Sequence, residues 1–294
     1  MEVTKSGFIA IVGRPNVGKS TLLNAIVGEK VAIVSAKPQT TRNKITGVLT
    51  DGDVQLIFLD TPGLHRSHNK LDDYMRRTVD DSITDVDAAV FVVEPQKEAA
   101  ESETELLKKL SAKKIPVLLA VNKIDTVKKE TLMEIISEWS ERYDFTAVIP
   151  VSAKTRDGVE TLVEELKKIV PEGPQYFPDD MMTDQPERLI VAEIIREKLL
   201  CLLSDEVPHG VAVSVESMKE RPNIMDIEAT IYCERDSHKG IIIGKGGRML
   251  KTVGVKSRTD IETLLDCHVN LQLWVKVKDD WRNRENVLKT LGYD

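Results

Sequence analysis

No apolar run in this sequence of 294 residues is long. "FIAIVG", "AAVFVV" and "PVLLAV" are each broken within a few residues, whereas a bilayer-spanning helix needs roughly 18–20. A transmembrane helix is excluded. Cysteine is scarce: Cys201, Cys233 and Cys267 are odd in number, far apart and never in a C-x-x-C pair. That excludes a disulfide framework and a thiol redox pair, and fits reduced thiols packed as small apolar side chains. The five histidines show no H-x-x-x-H or H-E-x-x-H spacing, so an all-protein zinc site has no support. The opening "MEVTKSG" has neither the apolar segment nor the small-residue cleavage site of a secretory signal, and a cytosolic location is expected. Internal repeats and low-complexity tracts are absent too. The net charge of −7 argues against broad attraction to nucleic acid while leaving room for a local basic site.

What is present describes a globular chain. Hydrophobic residues make up 41% and charged residues 30%, and the length allows two ordinary domains, each with its own core. Through the first 170 residues, the strand-like "FIAIVG", "QLIFLD", "AAVFVV", "PVLLAV" and "AVIPVSA" alternate with helical stretches. This pattern predicts βαβ units around a mainly parallel sheet. Between Thr46 and Leu59, Asp51-Gly52-Asp53 separates two strand-like arms, so one antiparallel hairpin should make the sheet mixed. Residues 171–186 hold Pro171, Pro174, Pro178 and Pro186 without periodicity and are expected to link a domain of residues 1–170 to one of residues 187–294. The second domain reads α, β, β, α, α, β, with a helical "RTDIETLLDC" after a glycine-rich loop and an alternating "HVNLQLWVKVK" strand.

Gly13, Gly18, Lys19 and Ser20 fit G-x-x-x-x-G-K-[ST], after a strand and before the helical "TLLNAIVG". Glycines let successive N–H groups and the helix N-terminus face phosphates, Lys19 supplies a point charge, and the Ser20 hydroxyl can ligate magnesium. Asn16, Val17 and Thr21 complete the candidate loop. "DTPG" at 60–63 ends a strand, so Asp60 can reach the magnesium through water and the Gly63 N–H can sense the γ-phosphate. "NKID" at 122–125 ends another. Its Asp125 can accept two hydrogen bonds from guanine N1–H and the 2-amino group, which adenine lacks, and this selects GTP over ATP. Asn122 would tie this loop to the phosphate loop, Lys123 would lie over the base, and Ser152, Ala153 and Lys154 could offer backbone contacts to the guanine oxygen.

In these motifs, taken in this order at strand ends, the chain resembles the translation-factor class of small GTPases and more narrowly the Era-type GTPases. The resemblance implies a threonine from a mobile segment that completes the magnesium shell. "KPQTTRNK" at 37–44 supplies Thr41, with Thr40 as runner-up and ordinary loop hydroxyls as the plain alternative. Lys19, Thr41 and Gly63 are then the expected catalytic groups, and Ser20, Thr41 and Asp60 the magnesium ligands. Signalling GTPases carry a water-orienting glutamine where this chain has Leu64, so slow basal hydrolysis that accelerates when a partner or ion completes the site is expected. In related GTPases an asparagine at the place of Asn16 helps bind potassium; turn formation is the other reading of this residue.

A second glycine-lysine loop, "GIIIGKGGRMLK" at 240–251, differs in spacing and has no hydroxyl after Lys245. It reads better as G-K-G-G, Gly244 to Gly247, between two helical stretches: a G-x-x-G turn that clamps a single nucleic-acid strand. Residues 235–258 carry seven basic residues against Asp236 alone, a local charge of +6 in an acidic chain, as an anion-binding groove requires. Lys239, Gly244, Lys245, Gly246, Gly247, Arg248 and Lys251 are the candidate RNA contacts; Ile242, Ile243, Met249 and Leu250 either line the base groove or pack the core. The element order resembles a type II KH domain, and a GTPase followed by one such module is the Era arrangement over essentially the whole chain. It implies binding near the 3′ end of 16S ribosomal RNA and a role in assembling the small (30S) ribosomal subunit; a monomer is expected, as is a switch in which GTP orders residues 35–44 and 64–80. Peripheral attachment to a membrane is also implied, though no strongly basic amphipathic helix supports it. Two other readings are a membrane or cell-cycle regulator in which hydrolysis is secondary, and a GTP-using modification enzyme, for which no acceptor pocket appears in the motifs.

Overall fold

The structure is a computed structural model and describes residues 4–63 and 68–293. The described residues form two compact units, one drawn from Met1–Ala32, Thr41–Ser67 and Met75–Asp184, the other from Ile33–Thr40, His68–Tyr74 and Gln185–Asp294. Two short segments from the first half of the sequence, 33–40 and 68–74, therefore belong to the second unit.

In chain order the first half contains β1 (Thr4–Val12), α1 (Lys19–Val27), β2 (Ile45–Asp51), β3 (Val54–Asp60), α2 (Lys70–Ser82), β4 (Ala88–Val93), α3 (Glu101–Lys113), β5 (Val117–Val121), α4 (Lys129–Ser140), β6 (Ala147–Pro150), α5 (Val159–Ile169) and β7 (Glu172–Gly173). The sheet runs β2-β3-β1-β4-β5-β6, and β7 joins β1. Strands β3, β1, β4, β5 and β6 run parallel to one another, while β2 pairs antiparallel with β3 through the expected hairpin and β7 antiparallel with β1. Side chains alternate across a strand. In β1, Ile9 and Ile11 accordingly enter the core formed with Leu22 and Leu162, and Ala10 and Val12 enter the opposite core with Leu106 and Trp139. Burial on both faces explains why these strands read as unbroken apolar runs.

Residues 171–186 are not a free tether. The Pro171 carbonyl accepts from the Ser6 N–H (3.1 Å), the N–H groups of Tyr176 and Phe177 donate to Gln55 Oε1 (2.9 and 3.0 Å), and the Met182 carbonyl accepts from the Val48 N–H (2.8 Å). This irregular stretch closes hydrogen bonds that the rim of the sheet would otherwise leave to water.

The second unit contains α6 (Glu187–Leu202), β8 (Ala212–Arg221), β9 (Ile224–Cys233), α7 (Asp236–Ile243), α8 (Arg248–Leu265), β10 (His268–Val277) and α9 (Glu285–Thr290). Its sheet runs β10-β9-β8, with β10 parallel and β8 antiparallel to β9. Ile227, Ala229, Ile231 and Cys233 face a core shared with Val191, Ile195, Leu199, Ile242, Val253 and Ile261. Helix α8 begins at Arg248, ten residues before the stretch that periodicity marks as helical. Gly254 interrupts the apolar pattern there but lies inside the helix, where a Cβ would make an ordinary 3.6 Å contact with Leu273. An 18-residue helix tolerates one glycine despite its weak helical preference. Among the described residues, no helix is long and apolar enough to cross a membrane.

Candidate functional site

In the first unit the loops that follow β1, β3, β5 and β6 all leave the carboxyl ends of strands, where open α/β sheets hold their ligands. The turn between β1 and α1 brings Gly18 to φ +96°, and a Cβ there would stand 2.3 Å from Asn122 Nδ2. Only glycine combines that backbone with that clearance. Asn122 is buried and works in both directions: its Nδ2 donates to the Val17 carbonyl (2.8 Å), and its Oδ1 accepts from the N–H groups of Lys123 (2.8 Å) and Ala153 (3.0 Å). It ties the phosphate loop, the "NKID" loop and the "SAK" loop into one body.

Lys19, the first residue of α1, is buried, and its Nζ donates to the carbonyls of Gly13 (3.1 Å) and Arg14 (2.9 Å). Burial lowers its pKa to about 8, against the opposing pull of Asp60. Asp60, at the end of β3, is fully buried. Desolvation raises its carboxyl to about 6, opposed by Lys19 and by the hydroxyls of Ser20 and Thr41. Ser20 donates to Asp60 Oδ2 at 2.6 Å, Thr41 Oγ1 lies 2.8 Å from Ser20 Oγ, and it reaches the same carboxylate oxygen at 3.5 Å. Of the two threonines, Thr41 therefore joins this cluster, whereas Thr40 donates locally to the Lys37 carbonyl (2.7 Å). Asp60 Oδ1 is buried without a hydrogen-bond partner. Two hydroxyls and a carboxylate with an unsatisfied oxygen are hard donors that fit a magnesium ion, which takes its remaining ligands from phosphate and water.

Gly63 is held against Pro15, whose backbone a Cβ would meet at 2.6 Å, so the "DTPG" turn approaches the phosphate loop as closely as a chain can. Leu64 lies outside the described residues. Asp125 is exposed, and its Oδ1 accepts from the buried Ser152 hydroxyl at 2.7 Å. Lys123 adopts a left-handed backbone, and its Nζ donates to the Asn16 carbonyl (2.6 Å) and pairs with Glu94. The motifs gave no sign of Glu94, which also pairs with Arg14 at 3.4 Å. The N–H of Ala153 is engaged by Asn122, and Lys154 is exposed.

The second unit holds the other glycine turn. Gly244, Gly246 and Gly247 have φ of +72°, +60° and +77°, and the turn caps the N-terminus of α8. Beside it a groove of about 420 Å³ runs between α8 and β10, lined by Gly247, Leu250, Lys251, Arg258, Leu271 and Leu273 among others. Lys245 and Arg248 are exposed at its mouth-forming turn, and Lys239 is half-buried on α7. Ile242 is core rather than groove, and Met249 packs against the core. Leu271 and Leu273 could have been picked out as groove residues only by pairing the β10 alternation with the α8 face.

The segments 33–40 and 68–74 are fastened within the second unit. Arg196 of α6, fully buried, donates to the carbonyls of Gln39 (3.3 Å) and Thr40 and pairs with Glu193. Glu197 accepts from the Val34 N–H (3.0 Å), and Gln39 Nε2 donates to Asp72 (2.8 Å). None of these partners has a motif signature.

A mixed, mainly parallel sheet with the G-x-x-x-x-G-K-S, "DTPG" and "NKID" loops at its strand ends, followed by an αββααβ unit with a glycine turn, defines a P-loop GTPase carrying a type II KH module. The pattern of the family described as "50S ribosome-binding GTPase" matches residues 8–123, and that of the KH domain matches residues 206–282. GTPase Era of Ruminiclostridium cellulolyticum is 53% identical over 290 residues, covering 98% of this chain and 97% of that protein. GTPase Era of Clostridioides difficile is 51% identical over 293 residues, with 99% of each covered. Two solved Era structures superpose over nearly the whole chain. A variant from Aquifex aeolicus bound to GDP and aluminium fluoride does so with a TM-score of 0.95 at 38% identity, covering 98% of this chain and 99% of that one. Era in complex with MgGDPNP and nucleotides 1506–1542 of 16S ribosomal RNA gives 0.96 at 37% identity, with 99% of each covered. The chain belongs to the Era family of GTPases.

Proposed function

We propose that this GTPase binds the 3′ region of 16S ribosomal RNA through its KH module and assists assembly of the small (30S) ribosomal subunit, in the cytoplasm and as a monomer. The observation that carries the reading is the pairing, in one chain, of the Ser20–Asp60–Thr41 cluster with the basic glycine-turn groove beside α8. Support for the RNA comes from the Era complex whose fold this chain shares over nearly its full length.

Ser20, Thr41 and Asp60 would hold magnesium, whose chemistry when bound is to neutralise the charge developing on the phosphates. Lys19 offers the buried ammonium that the phosphates would replace its carbonyl partners to meet, and the Gly63 N–H reports the γ-phosphate. Asp125, oriented by Ser152, reads guanine N1–H and the 2-amino group. Gly13, Val17, Gly18 and Thr21 contribute backbone and cap the phosphates; Asn122 and Lys123 fix and cover the base site, with Ala153 and Lys154 at its rim. Potassium beside Asn16 is a second ion in this reading.

The RNA contacts are Gly244, Lys245, Gly246, Gly247, Arg248, Lys251 and Lys239. Nucleotide state and RNA affinity are coupled in this proposal. The segment that leads into Thr41 is anchored in the KH-containing unit, so a nucleotide that demands a fixed Thr41 also biases that anchor. Affinity for an oligoribonucleotide from the 3′ end of 16S ribosomal RNA, measured with a GTP analogue and with GDP, tests this. Different constants support coupling, and equal ones refute it at the binding level. Co-flotation with anionic vesicles tests the membrane-peripheral pool that the resemblance implies.

A further inference from the structure

The sheet of the second unit has two chemically different faces. Ile227, Ala229, Ile231 and Cys233 of β9 meet the helices, so the alternate residues Glu228, Thr230 and Tyr232 point the other way. On β10 the same alternation sends Asn270, Gln272, Trp274 and Lys276 outward beside them. Trp274 is 56% exposed. The other two of the three tryptophans, Trp139 and Trp281, are fully buried, and each donates its indole N–H, to the carbonyls of Gln96 and Gly210 (2.9 Å each). Among the described residues Trp274 makes no such bond.

A single exposed apolar side chain is ordinary; the surroundings of this one are not. Thr230, directly across from Trp274, is buried, and Tyr232 lies across from Lys276, so Trp274 and Tyr232 occupy diagonal positions on one face of the ladder. Lys278 Nζ lies 5.0 Å from the centre of the Tyr232 ring. The acids of the face are largely engaged: Asp226 by Arg221 and Asn270, and Glu216 by the Tyr232 hydroxyl at 3.4 Å. The face thus offers two aromatic side chains with lysines between and beside them. Rings flanked by cations are the sequence-tolerant platform on which unpaired bases stack.

Position adds the second argument. β10 is the edge strand, and the groove beside α8 is lined by its inward Val269, Leu271 and Leu273 and also by the outward Asn270. The groove therefore reaches the rim around which Trp274 lies, four residues beyond Asn270 on the same outer face.

We propose that the outer face of this sheet is a second RNA contact, in which a base of the strand held in the groove passes the β10 edge and stacks on Trp274. This rests on the reading of the groove as an RNA site. Since the other tryptophans are buried, acrylamide quenching reports Trp274 selectively in the full-length protein. With a GTP analogue bound, an oligoribonucleotide of about four nucleotides, the span of a glycine-turn clamp, should bind without changing tryptophan emission. One of about twelve should quench emission and shield it from acrylamide. Trp274→Ala should weaken the longer oligomer about tenfold and leave the shorter unchanged, and Trp274→Phe should restore affinity without the signal. The proposal is overturned if anisotropy of labelled RNA reports binding of the longer oligomer while emission and acrylamide access stay constant, or if Trp274→Ala binds both lengths as the parent does. Shielding that grows with protein concentration alone would assign the face to a second copy and overturn it too. If neither oligomer binds the unaltered protein, the groove reading fails and takes this one with it.

Discussion

Ser20 and Asp60, 40 residues apart in the chain, share a 2.6 Å hydrogen bond beside the buried ammonium of Lys19. The hydroxyl donates to one carboxylate oxygen and leaves the other buried and unpaired. Without ligands the centre is electrostatically costly: burial opposes the charge on both Asp60 and Lys19.

The cost of Asp60 has a defined pH window. Its carboxyl is raised from 3.8 to about 6 in the folded protein. Between these values the folded state holds the extra proton, and stability falls as pH rises. Asp60→Asn should therefore stabilise the nucleotide-free protein at pH 7 by at most about 3 kcal/mol, the full linkage value. The gain should shrink toward half at about pH 5. Urea unfolding of both proteins at the two pH values checks this; a gain independent of pH would contradict it. The same variant should lose magnesium-dependent GTP binding.

Ser152 holds Asp125 but would not touch the phosphates. Ser152→Ala should weaken GTP and GDP alike by about five- to tenfold, near 1 kcal/mol for a lost hydrogen bond, and leave kcat unchanged. Isothermal titration and single-turnover hydrolysis separate the two.

Gly18→Ala puts a Cβ 2.3 Å from Asn122 Nδ2 in a backbone at φ +96°. The Asn122–Val17 bond should break, with about 2–3 kcal/mol of stability lost and nucleotide binding abolished. Retained binding with unchanged melting would show that the loop relaxes more freely than its geometry implies.

Arg196→Met removes the donors to the Gln39 and Thr40 carbonyls. Amide exchange over residues 34–40 should accelerate, stability should fall by about 2–3 kcal/mol, and hydrolysis should need more magnesium because Thr41 is the next residue along the chain. Arg196→Lys should not rescue exchange, since one ammonium cannot replace a planar fork that serves two carbonyls and a carboxylate.

Asn16 occupies a left-handed backbone at φ +65° in the phosphate loop. If potassium binds beside it, replacing sodium by potassium should raise turnover about tenfold, equivalent to about 1.4 kcal/mol of barrier. Asn16→Ala should erase the difference. Equal rates in both salts would remove the ion from the mechanism.

Much of this molecule could be read along the chain. The phosphate loop, "DTPG", "NKID" and the G-K-G-G turn are each contiguous, because the groups that grip a phosphate or a strand of RNA must follow one another on a single turn of backbone. The alternating apolar runs announced the sheet for a similar reason: which face a side chain takes is decided by its neighbours two residues away. The start of α8 is hidden in the sequence by Gly254, which breaks the apolar periodicity although the helix runs through it.

From the chain alone came the fold class of both units and the expectation of a guanine nucleotide at one set of loops and a single RNA strand at the other glycine turn. It took the folded arrangement to show that Thr41 and not Thr40 meets Ser20, that Asp60 is buried enough to raise its pKa to about 6, that residues 33–40 are gripped by Arg196, and that Trp274 is exposed. Each of these depends on what surrounds a group in space. Desolvation and through-space hydrogen bonds bring together residues whose separation along the chain carries no pattern.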